Sequence, residues 1–277
     1  PTVDAFEAAM AEVEGADDAV AFGSGMAALT ACILAAQTRG RHIVGIRPLY
    51  GGTDHLLASG VLGGEVSWAA PDTVGRHVRP DETPANPTID LADIESIARQ
   101  AGDVPVLVDA TFATPALLQP LAHGGTLSVH SATKFIGGHG DAMGGVVSGS
   151  REWMERVRQI RTLTGAVLHP MAAYLLHRGL QTLPARMRLA QATATELASL
   201  LVVHPEVKAV FHPSVAGRDP AGLVGTQMTG PGAVLAFDVG THERADAVLQ
   251  AVRVMTCAVS LGSCDTLIQH PAGLTHR

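Results

Sequence analysis

The sequence predicts an α/β protein, a mostly parallel sheet covered on both faces by helices and followed by a smaller α+β unit. Three observations carry that prediction. Short β-prone runs bounded by Gly, Pro or Asp alternate with helical patterns through the first half of the chain. From Arg151 the pattern changes to long helices. Of the 277 residues 47% are hydrophobic and only 16% charged, enough apolar material for one large core or two modest ones.

The elements follow in order. Phe6, Ala9, Met10 and Val13 recur at helical spacing, with Asp4 and Glu7 in the first turn and Gly15 as the stop. Residues 19–22 read as a strand, Gly23-Ser24-Gly25 as a tight turn, and the Ala-rich stretch 26–37 as a helix. Further strands are expected over 42–46, 65–68, 104–108, 126–129 and 145–148, with a helix over 91–101. Helices are then expected over 151–163, 170–183 and 186–203, a strand over 232–239 and a helix over 243–254. The boundary near Gly179 divides a first domain, 1–178, from a second, 179–277, with no flexible linker between them.

The composition excludes several classes. A net charge of −7 gives no general positive field for nucleic acid. Three cysteines with no C-x-x-C spacing suggest neither a disulfide framework nor a zinc site, but reduced, buried thiols in a cytoplasm. No apolar stretch is long enough to span a bilayer, and the residues show no basic, apolar, small-residue leader pattern, so secretion is not expected. His130, His139 and Asp141 match no ligand spacing, so no metal is expected. Arg151, Arg156, Arg158 and Arg161 read as a solvated face or a subunit contact.

Among the 19 basic residues only Lys134 and Lys208 are lysine. Lys134 stands in Ser131-Ala132-Thr133-Lys134, after a strand and before Gly137-Gly138-His139-Gly140. A lysine that must form a Schiff base cannot be replaced by Arg, whose guanidinium stays protonated. Ser131 and Thr133, two apart on an extended segment, would point the same way and could both donate to a phosphate. Lys208 has no such company and reads as a surface charge.

Asp109 ends an apolar strand, at the edge of an open sheet where ligands gather. It either caps a turn or pairs with the ring nitrogen of a pyridine cofactor. Gly23 to Ala28 makes a strand-turn-helix junction with free N–H groups suited to an anion. It also satisfies G-x-G-x-x-A, so an NADP-dependent oxidoreductase is an alternative, with Arg47 standing where the acidic residue is expected. Tyr50, in a Gly-flanked loop, could stack on a flat cofactor or pass protons. Tyr174 fits a core rim. The rigid turn Thr83-Pro84-Ala85-Asn86-Pro87 presents the amide of Asn86.

Together these motifs, with Asp109-Ala110-Thr111-Phe112, Ser260-Leu261-Gly262 and His270-Pro271, resemble the Cys/Met-metabolism family of pyridoxal 5'-phosphate (PLP) enzymes, of the aspartate-aminotransferase-like fold type I. The resemblance implies Lys134 as the Schiff-base lysine, Asp109 as the pyridine-nitrogen partner and Tyr50 as stacking ring and proton shuttle. It implies that Gly25, Met26, Ser131 and Thr133 hold the phosphate, with Asn86 near the 3′-oxygen and Ser260 near the substrate carboxylate. The stretch 163–170 is most similar to the methionine γ-lyase and cystathionine γ-lyase branches. The implied reaction is γ-elimination on a sulfur amino acid, with γ-replacement on an activated homoserine as the alternative, in a cytoplasmic homotetramer whose dimers share active sites. Gly52 replaces a loop cysteine of the methionine branch and Ala110 replaces an Asn. The family's N-terminal arm, its C-terminal arginine segment and an apolar strand between Asp81 and Glu82 are not written in these residues. They are expected to belong to a longer chain whose arms are mobile.

Overall fold

The computed structural model describes residues 1–37, 40–69 and 79–271. In chain order the first half comprises α1 (Thr2–Glu14), β1 (Asp18–Phe22), α2 (Gly25–Ala36), β2 (His42–Ile46), α3 (Gly51–Ala58), β3 (Glu65–Ala69), β4 (Arg79–Glu82), α4 (Ile94–Ala101), β5 (Val106–Asp109), α5 (Thr114–Leu117), β6 (Leu127–His130) and β7 (Gly145–Gly149). The second half comprises α6 (Arg151–Thr164), α7 (Pro170–Leu180), α8 (Leu183–Val202), β8 (Ala209–Phe211), β9 (Ala236–Asp238), α9 (His242–Ala251), β10 (Thr256–Cys257) and β11 (Leu267–Ile268).

Five strands form one sheet in the order β1-β7-β6-β5-β4. β4, β5 and β6 are parallel, but β7 is antiparallel to both of its neighbours, so the sheet is mixed rather than uniformly parallel. The cause is the connection. A parallel neighbour needs a crossover, usually helical, and residues 131–144 contain no helix to carry the chain back, so β7 returns in the opposite sense. β2 and β3 form a separate parallel pair, with β2 beside β4. Where the resemblance calls for an apolar strand, β4 carries the sequence Arg79-Pro80-Asp81-Glu82 in parallel register with β5.

Alternating residues along the strands serve two cores. Ala19, Ala21, Val106, Val108 and Val146 pack with Phe6 and Met10 of α1 and with α4 and α7. Val20, Phe22, Leu107, Leu127, Val129 and Val147 pack with Cys32 and Ile33 of α2 and with α6. α1 ends where Gly15 takes φ 64°, a left-handed cap favouring glycine. α4 starts at Ile94 rather than at 91 because Asp93 caps it, accepting the Ser96 N–H at 2.8 Å. The strand expected over 232–239 is reduced to three residues, bounded by Gly232 and Gly240 at positive φ.

Several sequence expectations are corrected. Arg158 and Arg161 are not a solvated face: Arg158 grips Asp18 at 3.0 Å, and Arg161 donates to Glu7 at 2.5 Å and to the Ala21 carbonyl at 2.9 Å, tying α6 to α1 and β1. Cys32 is buried, but Cys257 and Cys264 are exposed. Tyr174 is exposed because the buried stripe of α7 runs through Ala173, Leu176 and Leu180. No helix among the described residues is long and apolar enough to cross a membrane.

Candidate active site

Lys134 lies in a tight turn that follows β6. Its N–H donates to the Ser131 carbonyl at 3.1 Å, and the Gly138 N–H donates to the Lys134 carbonyl at 2.8 Å. Arg186, at the start of α8, clamps this turn: its guanidinium donates to the carbonyls of Phe135 (2.6 Å), Ile136 (3.3 Å) and Gly179 (2.7 Å). The segment around Gly262 closes over the other side. A side chain at Gly262 would meet the Phe135 nitrogen at 2.4 Å, and its φ is 86°, so glycine is required twice over. This packing brings Ser260 to the lysine, whose Nζ donates to Ser260 Oγ at 3.1 Å. Burial pushes the Lys134 ammonium below the usual lysine range, toward a free amine.

Asp109 ends β5 on the same sheet edge. Its Oδ1 accepts the Thr111 N–H at 3.0 Å and the Thr111 hydroxyl at 2.5 Å, and no described residue bonds Oδ2. Burial raises this carboxyl above the ordinary range; the two Thr111 bonds and then the charge of His130 oppose that rise. Thr111 also links the acid to the lysine turn, since its Oγ1 accepts the Ser131 N–H at 2.8 Å.

Ser131 in turn packs on the N-terminus of α2. A Cβ at Gly25 would lie 2.8 Å from Ser131 Cβ and 3.0 Å from its Cα. Ser24 caps the helix by accepting the Ala27 N–H at 3.1 Å, and the Gly25 and Met26 N–H groups have no acceptor among the described residues. Unpaired donors at a helix start attract anions. The expectation that Ser131 and Thr133 share a face of extended backbone is corrected. The segment is a turn, and the Thr133 hydroxyl is engaged with Gly144, donating to its carbonyl at 3.2 Å and accepting its N–H at 3.1 Å.

Tyr50 precedes α3, 45% exposed, its ring lying where a Cβ on Gly52 would come within 2.5 Å of Cε1. Asn86 follows β4 at the same end of the sheet as Asp109, because Glu82 pairs with Asp109. No hydrogen bond joins it to Asp109 or Lys134. Arg47 is committed elsewhere: it donates to both oxygens of Asp54 at 2.7 and 3.1 Å and stacks on Trp68 at 3.7 Å, so the cation proposed for an NADP phosphate is in use.

Sequence reasoning missed Thr111 and Arg186. Thr111, two residues after the acid, fits an Asx-type turn and could have been found; Arg186 acts from 51 positions beyond Phe135 and carries no local signal. Asp246 accepts from His242 (3.1 Å) and His270 (3.3 Å), the one three-residue group of metal-type donors among the described residues.

The whole chain, residues 1–277, matches the model of a family described as Cys/Met metabolism PLP-dependent enzyme. It is 54% identical over 285 residues to an L-methionine gamma-lyase of Brevibacterium sandarakinum, covering 100% of this chain and 72% of that protein. It is 38% identical to a cystathionine gamma-lyase of Bacillus subtilis, covering 100% and 76% respectively. A solved structure of cystathionine gamma synthase from Xanthomonas oryzae pv. oryzae superposes with a TM-score of 0.93 at 32% identity, over 100% of this chain and 75% of that one.

Proposed function

Because this chain belongs to the Cys/Met metabolism family of PLP-dependent enzymes, we propose that it performs γ-elimination on L-methionine or L-cystathionine, releasing a thiol, 2-oxobutyrate and ammonia. It is a PLP-dependent carbon–sulfur lyase, and its cofactor is pyridoxal 5'-phosphate. The observation that carries the substrate class is the 50–54% identity to three L-methionine gamma-lyases, against 38% to the cystathionine gamma-lyase. The family's solved structures support fold type I with a mixed sheet. We place the PLP-binding domain at 1–178 and an incomplete C-terminal domain at 179–277.

The residues fit the cofactor. A lysine amine held toward its neutral form suits the aldehyde, a carboxyl with one unbonded oxygen suits a ring nitrogen, and the cradle closed at Gly25 with two unpaired N–H groups suits a phosphate. When bound, PLP condenses with amines and draws electrons from the substrate's α-carbon. Gly25 and Met26 would hold the phosphate through their N–H groups, with Ser131 and Thr133 beside them. Asp109 would accept the ring N–H and keep that nitrogen protonated. Asn86 would serve the 3′-oxygen. Lys134 would anchor the cofactor between turnovers and, in its neutral form, remove the α-proton. Ser260 receives the lysine's hydrogen bond and orients the substrate carboxylate. Tyr50 would stack on the ring and deliver a proton to the departing sulfur.

Exposed Met171 and Tyr174 on α7, with Leu189 and Leu200 on α8, support burial against further subunits, and we propose a cytoplasmic homotetramer built from site-sharing dimers. γ-Replacement is a second reading, since the fold superposes on a synthase at a TM-score of 0.93 as well as on a lyase at 0.91. Production of 2-oxobutyrate from methionine or cystathionine supports elimination. No product from either, with turnover of O-acetylhomoserine plus sulfide, would establish replacement. Borohydride reduction of the holoenzyme and peptide mapping should label Lys134; a label elsewhere removes the central assignment.

A further inference from the structure

Behind Asp109, on the other face of the sheet, lies a buried polar pair that the catalytic scheme leaves unused. Leu107 and Val129 pack toward α2, and the charge of Asp109 reaches Cys32 on that helix. Ser128 and His130, at the alternate positions of β6, face α1. His130 and Glu14, the last residue of α1, are each 1% exposed. His130 Nε2 donates to Glu14 Oε1 and lies 3.3 Å from Ser128 Oγ, while Glu14 Oε2 and His130 Nδ1 have no partner among the described residues.

Such a pair is an expensive way to fill a core. Burying an acid and a base is commonly less favourable than an apolar pair of equal volume, and each unpaired atom adds to the cost. The position offers a reason for keeping it. Asp109 and Val129 are partners in the parallel register, Ala110 N–H donates to the Val129 carbonyl at 3.0 Å, and His130 is the next residue. Only the backbone of two paired strands separates the imidazole from the carboxyl. The other groups acting on Asp109 are the Thr111 hydroxyl and N–H; Cys32 stays a neutral thiol there, because burial and Asp109 both raise it.

We propose that Glu14 and His130 are positioning residues for Asp109: Glu14 holds His130 as an imidazolium across the sheet, and that fixed charge keeps Asp109 ionised so that it can hold the cofactor's ring nitrogen protonated. The proposal rests on the assignment of Asp109 as the ring nitrogen's partner. The interaction has the required sign, since the His130 charge lowers a carboxyl that burial raises. Glu14 supplies the opposite charge that an imidazolium buried this deeply needs, which a lone histidine would lack.

Two measurements test it. In the wild-type holoenzyme labelled with ¹⁵N-histidine, His130, assigned through the chain's single His-Ser pair, should show both ring nitrogens protonated at about neutral pH. A neutral ring overturns the proposal without any variant. With ¹⁵N in the pyridine ring of bound PLP, His130→Gln and Glu14→Gln should each shift the ring-nitrogen resonance toward its unprotonated position and lower kcat at least tenfold. Asp109→Asn should move the same resonance further. If Asp109→Asn moves it and neither of the other variants does, this proposal fails alone. If Asp109→Asn leaves it in place, the assignment of Asp109 fails first. Should His130→Gln not fold, Glu14→Gln and the wild-type histidine spectrum decide the matter.

Discussion

Replacing Thr111 with Val removes one hydroxyl that serves both ends of the site while keeping the side chain's shape. The hydroxyl donates to Asp109 Oδ1 at 2.5 Å and accepts the Ser131 N–H at 2.8 Å. A hydrogen bond to a charged acceptor contributes ~1.5–3 kcal/mol and a neutral one ~1 kcal/mol, so the apo-protein should lose about 3 kcal/mol when Asp109 is ionised. The pH dependence follows from the direction of the Asp109 shift. Burial already raises this carboxyl, and the Thr111 bonds oppose the rise, so the variant's carboxyl moves higher still. Between the unfolded and folded values the native state binds the extra proton, and stability falls as pH rises through that window. The loss in Thr111→Val should therefore be full above the folded value and shrink toward the unfolded one. Urea unfolding followed by tryptophan fluorescence along a pH series, from the unfolded value upward until wild-type stability no longer falls with pH, measures both. A loss below about 0.5 kcal/mol at the top of that series, or a loss that stays constant along it, would refute the linkage of acid and lysine turn through Thr111.

Gly25→Ala places a Cβ 2.8 Å from Ser131 Cβ and should weaken PLP binding at least tenfold in equilibrium dialysis, with overpacking costing ~1–3 kcal/mol; wild-type affinity would show that the cradle is not the phosphate site. Arg186→Met leaves the Phe135 and Ile136 carbonyls without their donor, and amide exchange at Gly137 and Gly138 should quicken by about tenfold or more, while unchanged protection would mean that Gly262 alone holds the turn. Gly52→Cys forces the Tyr50 ring from its seat and should change the methionine-to-cystathionine ratio of kcat/KM severalfold; an unaltered ratio would free Tyr50 from this constraint. Burial lowers the Lys134 ammonium, so amine labelling of Lys134 in the apo-protein should titrate below 10.5, and stability should rise with pH between the folded value and 10.5; labelling at or above 10.5 would contradict the buried environment.

Chemistry that depends on residue type was legible along the chain. Lys134 stood out because the sequence otherwise writes Arg, and Gly25 because a strand-turn-helix junction needs it. The mixed sheet was also written there, in the absence of a helical pattern between β6 and β7, but the alternating pattern of the first half masked it. The buried ties of Arg158 and Arg161 were not legible. A basic helix face looks the same whether it meets water or the carboxylates of Asp18 and Glu7. Nor could the spacing of Ser131 and Thr133 show that the backbone between them turns.

The sequence by itself determined the α/β class, the amine, the acid and the anion-binding junction, because each depends on local propensity or on a functional group nothing else can supply. Only the tertiary structure decided which of them meet. Ser260 reaches Lys134 across 126 positions, and His130 reaches Glu14 across 116. Such contacts are set by strand register and by which face each side chain takes, and a one-residue change in register would exchange the faces. That same alternation sends Asp109 toward α2 and His130 toward α1, on opposite sides of one sheet.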